Sequence, residues 1–216
     1  YFHSTGDKAK VITAISMFYD LDDPNTFVDN VAKSLDDDGV FVIQQNYLAK
    51  MIENIAFDNI VHEHLEYYSL TSLEFLLSKH GLMVFDVLEH PINGGSLRTY
   101  VKKVESSLGS SEGLERTRRL RQIESFSKLS EEYVYKYFAD QISKATYQLK
   151  QMVEDRVKDG KKVYVYGAST RGNTLLQACG LDYRLISGAA ERNPDKFGLK
   201  MPGNIPIVSE EESRYD

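Results

Sequence analysis

The stretch that decides the fold runs from residue 11 to residue 43 and reads VITAISMFYDLDDPNTFVDNVAKSLDDDGVFVI. Residues 11–16 and 40–43 are short apolar runs rich in β-branched side chains, which predicts two buried strands. Between them, apolar residues recur at helical spacing after Pro24, a residue that suits the first turn of a helix. Residues 36–39, DDDG, are interpreted as a turn. This order predicts a βαβ unit with parallel strands.

The pattern in the rest of the chain predicts a second α/β unit that follows long helices. Residues 70–80 match a helix with a capping box formed by Thr71 and Glu74, and Gly81 would end it. Residues 83–88 and 97–102 predict an antiparallel pair of strands. Residues 114–157 are free of Pro and Gly, which predicts one or two long helices interrupted near Ser130. Residues 161–166, 174–179 and 185–190 then predict strand, helix and strand.

Composition limits the class of protein. The chain has 216 residues, of which 42% are hydrophobic and 27% charged, as in globular proteins. Its formal net charge of −6 argues against a nucleic-acid or membrane-surface binder, and no apolar run is long enough to span a membrane. The one cysteine, Cys179, is interpreted as a packed core thiol, and a reduced, cytoplasmic compartment is expected. Because the sequence starts at Tyr1 and stops without an obvious domain end, we expect it to be part of a longer protein.

Candidate chemistry is concentrated between Val61 and Tyr68, where two histidines, two glutamates and two tyrosines precede the predicted helix. A histidine beside a carboxylate can act as a general base near neutral pH. A solvated polar loop is the open alternative. A metal site is a weaker one, because His62 and His64 share a face of an extended segment but have no further ligands at suitable spacing. We therefore predict no metal in these residues.

A second candidate site is the turn YGASTRGN at residues 166–173, which follows a predicted strand and opens a helix. Backbone amides at a helix N-terminus attract anions, and Arg171 adds a positive charge with forked donors. The turn has neither the lysine of a Walker A loop nor the spacing of a dinucleotide fingerprint, so a purely structural tight turn stays open. Residues 93–98, NGGSLR, allow close approach to a ligand, although a hairpin link is the favoured interpretation.

Three segments together resemble one family, the S-adenosylmethionine-dependent sugar C-methyltransferases, which act on nucleoside-diphosphate keto-sugars in deoxysugar biosynthesis. The first segment is FDNIVHEHLEYYSLTSL at residues 57–73, and the second is NGGSLR at residues 93–98. The third is YGASTRGNTLL at residues 166–176, followed by ERNP at 191–194 and PG at 202–203. The resemblance covers nearly the whole chain.

The resemblance implies an α/β fold with three parts. Residues 1–105 would be the C-terminal part of a Rossmann-like class I methyltransferase domain, and residues 106–159 a helical linker. Residues 160–216 would be a second, smaller and truncated Rossmann-like domain that binds substrate. A zinc-binding module and a glycine-rich cofactor loop would precede residue 1, so structural zinc is expected only there and the chain alone is expected to be inactive.

The resemblance also implies an enzyme that methylates a carbon beside a ketone through base-catalysed enolate formation. The base would be His64, supported by Glu63, and the catalytic set includes Tyr67 as a candidate donor to the enolate oxygen; Tyr68 and Arg98 are further candidates. S-adenosylmethionine contacts would fall on Ser16, Met17 and Phe18. The predicted substrate-binding residues are Gly167, Ser169, Thr170, Arg171, Gly172, Asn173, Glu191 and Asn193, with Arg98.

Two positions depart from the family's pattern. Val61 stands where the family often has a tyrosine, and Asp20 where it often has a histidine, which leaves the sugar and the methylated carbon open. One alternative is an enzyme that methylates oxygen or nitrogen of a non-sugar metabolite on the same scaffold. Another is a non-catalytic nucleotide-binding module. The expected partner is a small-molecule nucleotide-sugar, with no nucleic acid and no membrane, and the sequence gives no oligomeric state.

Overall fold

The computed structural model describes residues 6–215, and the chain divides into two compact units. The N-terminal unit comprises Tyr1–Ala56 and His62–Tyr135, and the C-terminal unit comprises Phe57–Val61 and Lys136–Asp216. The predicted outer limits at residues 1 and 216 lie outside the described residues. The predicted domain boundaries after residues 105 and 159 stay predictions.

The N-terminal unit holds a four-stranded mixed sheet with the order β1-β2-β4-β3. The first two strands are parallel, as predicted, and the other two pairings are antiparallel. Its strands are β1 (Ala9–Ile15), β2 (Leu35–Asn46), β3 (Leu82–His90) and β4 (Ser96–Lys103). Its helices are α1 (Pro24–Ser34), α2 (Leu48–Glu53), α3 (Leu70–Ser78) and α4 (Ser111–Ser127), with short 3-10 turns at Phe18–Asp20 and Ile92–Gly94.

The predicted turn at residues 36–39 is wrong, because these residues belong to β2. The register with β1 jumps from Ala9–Leu35 to Val11–Val40, so the acidic tract forms an irregularity within the pairing. Salt bridges hold this tract: Asp36 binds Lys10 at 2.6 Å, and Asp37 binds Lys103 at 2.8 Å. The acidic residues therefore pair with lysines of the neighbouring strands instead of reversing the chain.

The predicted capping of α3 is also wrong in its residues. Ser69 is the N-cap, since its side chain accepts from the amide of Ser72 while the Ser72 hydroxyl accepts from the amide of Ser69. Thr71 and Glu74 instead bind residues of α4, Glu124 and Arg121 respectively. Other local signals are confirmed: Asp23 caps α1 with Pro24 in its first turn, and Gly81 adopts a left-handed φ of 68° after α3.

The predicted long helices are confirmed as two, α4 and α5 (Glu132–Lys158), and the break follows Lys128, which ends α4 with a left-handed φ of 51°. In the C-terminal unit, the strands β5, β6 and β8 are parallel in that order, and β7 pairs antiparallel with β8. The strands are β5 (Tyr164–Tyr166), β6 (Gly188–Glu191), β7 (Lys200–Met201) and β8 (Ile205–Ser209). The helices are α6 (Thr170–Cys179) and α7 (Glu210–Tyr215), with 3-10 turns at Phe57–Asn59, Pro194–Lys196 and Pro202–Asn204.

Three predicted bounds in this unit were wrong. The strand β5 starts at Tyr164 and not at residue 161, and β6 starts at Gly188 because the amides of Leu185 and Ile186 bond back to the carbonyl of Asp182. The helix α6 starts four residues before the predicted Thr174, because Ser169 caps it.

Each unit has its own hydrophobic core. In the N-terminal unit, Phe18, Phe41 and Ile43 are fully buried together with apolar residues of α1 and α3. In the C-terminal unit, Ile186 and Ile205 are buried beside Cys179, whose thiol has its pKa raised by burial as expected of a packed core residue. The α/β fold class is confirmed. Among residues 6–215, no helix is both long and apolar enough to cross a membrane.

Candidate functional site

The cofactor-binding candidates lie where β1 ends at the carboxyl edge of the sheet. Ser16 has a left-handed φ of 53°, and its amide donates to the carbonyl of Gln44 on β2 at 2.8 Å. Phe18 is fully buried, and its ring contacts those of Phe27 and Tyr68 at centroid distances of 5.8 and 5.4 Å. Met17 packs partly buried against the same core. A ligand at this edge would therefore meet Ser16 and backbone groups, since the Phe18 side chain belongs to the core.

The loop at residues 62–68, named here the HEH loop, is held against this edge by Tyr19. The Tyr19 carbonyl accepts from the amides of Leu65 and Glu66 at 2.9 and 3.1 Å. The ring of Tyr19 packs edge-on against the His64 imidazole with a centroid distance of 4.4 Å. Burial raises the pKa of Tyr19, and the nearby Ser16 side chain opposes that shift. The fold thus brings His64 against Tyr19, three residues after Ser16 at the end of β1.

Charges around His64 come from two carboxylates. Burial raises the pKa of Asp20, and the positive charge of His64 opposes that shift. Glu63 adds negative charge at Asp20, and its carboxylate lies 3.4 Å from Nδ1 of the exposed His62. Sequence reasoning treated Asp20 only as a departure from the family. Its place beside His64 follows from its position directly after Tyr19, whose ring packs on that imidazole.

The two tyrosines of the HEH loop differ in exposure. Tyr68 is buried, and burial raises its pKa to about 12, so its hydroxyl is a proton donor at neutral pH. Tyr67 is half-buried. Arg98 lies on β4 opposite Gln44, whose side-chain oxygen accepts from Nε and Nη2 at 2.8 and 2.5 Å. This hydrogen bond holds one guanidinium at the same edge of the sheet as Ser16, because Gln44 is also the partner of Ile15.

Residues 93–95 connect β3 to β4 and are bound to their surroundings. Asn93, Gly94 and Gly95 all have positive φ, of 56°, 84° and 121°. The Gly95 carbonyl accepts from the amide of Tyr47, and the Gly94 carbonyl accepts from the side chain of Asn54. The glycines therefore serve the link between strands, as the favoured interpretation of the sequence has it.

In the C-terminal unit, the turn after β5 is organised as a helix start. Gly167 has a φ of 91°, and no atom lies within 4 Å of where its Cβ would be. The Ser169 hydroxyl accepts from the amide of Gly172 at 3.1 Å, so Thr170, Arg171, Gly172 and Asn173 form the first turn of α6. The buried Oδ1 of Asn173 has no hydrogen-bond partner among the described residues.

Glu191 at the end of β6 holds this turn in place. Its carboxylate accepts from the backbone amides of Ala168, Arg192 and Asn193 at 3.0, 2.8 and 3.2 Å, and from Lys196. These hydrogen bonds, that of Ala168 first, lower the pKa of Glu191 to about 2. Asn193 caps the following 3-10 turn by accepting from the amide of Asp195. Glu191 thus shapes the backbone next to Gly167, and Asn193 shapes the turn Pro194–Lys196.

Arg171 is bound to a residue that sequence reasoning missed. Its Nε and Nη2 lie 2.8 and 2.5 Å from Oδ2 of Asp58, in the short turn Phe57–Asn59 that belongs to the same unit. Thr174 donates to the carbonyl of Ile60 in that segment at 3.2 Å. The two residues of the ion pair are 113 positions apart, so no local pattern could have paired them.

Sequence reasoning also missed a polar cluster around Glu210, which binds Tyr166 at the end of β5. Glu210 accepts from Tyr166, Arg192 and Arg214 at 2.6, 2.7 and 2.8 Å, and these bonds, that of Arg192 first, lower its pKa to about 2. The cluster lines an open cleft of about 500 Å³ at the carboxyl ends of β6 and β8. Among the described residues, no group of three or more His, Cys, Asp or Glu side chains is placed to hold a metal ion.

Known proteins resemble both parts of the chain. The profile of the C-methyltransferase C-terminal domain matches residues 91–216, and that of a methyltransferase domain matches residues 2–87. The C-methyltransferase NovU of Streptomyces niveus is 33% identical over 206 residues, which are 95% of this chain and 48% of NovU. The chain therefore spans about half the length of this curated relative.

Matches among solved structures are weaker. LepI in complex with SAM is 14% identical over 45% of this chain and 27% of LepI, with a TM-score of 0.37. The M1.HpyAVI–SAM complex is 13% identical over 49% of this chain and 48% of that chain, with a TM-score of 0.32. Because the C-terminal domain profile alone matches more than half of the residues, the chain belongs to the C-methyltransferase family.

Proposed function

We propose that the protein containing this chain is an S-adenosylmethionine-dependent C-methyltransferase that acts on a nucleotide-linked keto-sugar. One observation above all supports it: the His64 imidazole packs on the ring of Tyr19, in the short turn that follows the carboxyl end of β1. A candidate base thus lies beside the strand end that the family assigns to the cofactor. Ligands of parallel sheets bind at this edge.

The residues at this edge fit part of a cofactor pocket. Ser16 turns the chain back in a left-handed conformation, and the neighbouring Ile15 leaves apolar side chain exposed. When bound there, S-adenosylmethionine supplies an electrophilic methyl group. The chain's own part is to generate a nucleophile: His64 removes a proton from the carbon beside the substrate carbonyl, and the electron pair moves onto the carbonyl oxygen.

The oxygen that gains negative charge needs a donor. Tyr67, Tyr68 and Arg98 are the proposed donors, and burial raises the pKa of Tyr68 to about 12. Asp20 lies close enough to His64 for the two charges to interact, while the Glu63 carboxylate lies nearest to His62. The substrate's nucleotide is assigned to the C-terminal unit, where Gly167 leaves open space beside the first turn of α6.

The test compares His64→Asn with His62→Asn, its exposed neighbour, in a preparation of the protein that binds S-adenosylmethionine. The substrate is a nucleoside-diphosphate keto-sugar with deuterium beside the ketone. We expect His64→Asn to lower turnover on the order of a hundredfold or more while cofactor binding is retained, and His62→Asn to change turnover little. Wild-type enzyme should release deuterium to solvent.

Other outcomes would identify other functions. Turnover that survives His64→Asn would show that His64 is not the base. Methyl transfer with full retention of deuterium would indicate methylation of oxygen or nitrogen. Binding of the nucleotide-sugar without any transfer would indicate a nucleotide-binding module.

A further inference from the structure

A buried carboxylate lies outside the catalytic set, on the helix α4. Glu124 is 5% exposed, and both of its oxygens are occupied. Oε1 accepts from the Tyr47 hydroxyl at 2.8 Å and from the amide of Leu70 at 2.5 Å. Oε2 accepts from the amide and the hydroxyl of Thr71 at 2.9 and 2.6 Å. Four donors thus converge on one side chain.

These donors belong to neutral groups at the start of α3 and at the end of β2. The first amides of a helix have no partners within the helix, and they carry its partial positive charge. Ser69 satisfies the amide of Ser72, and Glu124 satisfies those of Leu70 and Thr71. The helix start therefore compensates the buried charge, and this works only while α3 begins at its present place.

The segments that Glu124 joins both border the HEH loop. Leu70 follows the loop and its cap Ser69 directly, and Tyr47 follows β2, whose Gln44 lies at the sheet edge. The amide of Leu48 also donates to the carbonyl of Tyr68 at 3.0 Å. Leu70 follows His64 by six positions in the sequence. The HEH loop is thus fastened by Tyr19 near its middle and by Glu124 just beyond its end.

Packing between α3 and α4 does not need this carboxylate. Leu120 of α4 shares the core with residues of α3, and Arg121 binds Glu74 at 2.6 Å one helical turn before Glu124. A buried charge adds little net stability compared with an apolar side chain of the same volume, but it imposes strict geometry on its partners. This favours a role for Glu124 in placing its neighbours.

We infer that Glu124 is a positioning residue for His64: it fastens the C-terminal end of the HEH loop to Tyr47, the residue after β2, and thereby holds the imidazole at the sheet edge. The inference rests on the proposed function of His64 as the base. A displacement of about 1 Å at a reacting group lowers rates up to the order of a hundredfold, so a loosened loop end should appear in kcat.

The test is a double-mutant cycle between Glu124→Gln and His64→Asn in the methyl-transferring protein. Glutamine keeps the size of the side chain. Its NH2 group, however, replaces one of the two oxygens that accept hydrogen bonds from the amides of Leu70 and Thr71. We expect Glu124→Gln to lower kcat on the order of tenfold to a hundredfold with unchanged affinity for S-adenosylmethionine. In the His64→Asn background, the same change should cause no further loss, because no base is left to misplace.

Glu74→Gln is the matched control, since it breaks the other polar contact between the same two helices without touching the HEH loop. It should leave kcat nearly unchanged. Independent, multiplying losses from Glu124→Gln and His64→Asn would overturn the inference and leave the proposed function intact. If the His64→Asn single variant keeps its turnover, the proposed function itself is overturned.

Tyr47→Phe serves the same cycle if Glu124→Gln does not fold. It removes one of the four donors and leaves the others on the carboxylate. A smaller loss of kcat that disappears in the His64→Asn background would support the positioning role. A loss that persists there would overturn it.

Discussion

Arg171 shows, at the scale of single residues, that a charged side chain suited to a ligand can already have a protein partner. Its guanidinium is half-buried against Asp58, so an incoming phosphate would have to share or replace this carboxylate. Glu191 is engaged in the same way by three backbone amides. Both side chains therefore act on the turn at Gly167 before any ligand arrives.

Asp58→Asn should strengthen binding of nucleoside diphosphates, and Arg171→Gln should weaken it. The first change removes negative charge from beside Arg171 and the second removes the cation; each should shift affinity severalfold, about 1 kcal/mol for a partly exposed pair. Isothermal titration with a panel of common nucleoside diphosphates measures both. Asp182→Asn, which alters the exposed Asp182–Arg184 pair of the same unit, is the control. Unchanged affinity in Arg171→Gln would show that this residue does not bind the phosphates.

At the scale of elements, the link between β3 and β4 depends on one glycine more than on the others. Gly95 has a φ of 121°, and a Cβ on it would overlap the Cβ of Lys50 on α2. Its carbonyl also receives the amide of Tyr47 at the end of β2. The motif thus has a glycine at the position where the β3–β4 link contacts both α2 and the residue after β2. Gly81 has a positive φ of 68° as well, but no atom lies within 4 Å of where its Cβ would be.

Gly95→Ala should therefore destabilise the N-terminal unit more than Gly81→Ala. A left-handed φ alone costs alanine about 1–2 kcal/mol, and overpacking adds about 1–3 kcal/mol at Gly95. Urea unfolding of the two variants beside the wild type gives the comparison. Equal losses would show that Lys50 moves aside without cost.

At the scale of the whole molecule, stability resides in two separate cores. Ile43 is fully buried in the core of the N-terminal unit and Ile205 in that of the C-terminal unit, and the two clusters share no residue. The net charge of −6 belongs to this scale too. This charge gives the chain no general attraction for anions, so an anion site on these residues needs local cations such as Arg171.

Ile43→Ala and Ile205→Ala should each weaken one unit. Such truncations cost about 2–5 kcal/mol through lost burial and the cavity left behind. Hydrogen exchange read by mass spectrometry should show faster exchange in Tyr1–Ala56 and His62–Tyr135 for the first variant, and in Lys136–Asp216 for the second. Equal acceleration in both units by either variant would show that the cores unfold as one.

Local patterns in the sequence were enough for the parallel pairing of β1 and β2, the start of α1 at Pro24 and the break after α4, because periodicity and capping act within a few residues. The family resemblance named His64 and Ser16 as candidates for the base and for a cofactor contact, and these roles stay predictions. Where a local signal competed with a remote partner, the local prediction was wrong. Glu74 binds Arg121, 47 positions away, instead of forming the predicted capping box.

The sequence by itself thus determined the α/β fold class and the family, and it supplied the candidate residues of the site. Only the tertiary structure decided which residues meet: Tyr19 with His64, Arg171 with Asp58, and Glu124 with the start of α3. The physical reason is that a hydrogen-bonding group takes the best partner that packing brings within reach. Packing joins residues that lie 45 to more than 100 positions apart, which no local pattern encodes.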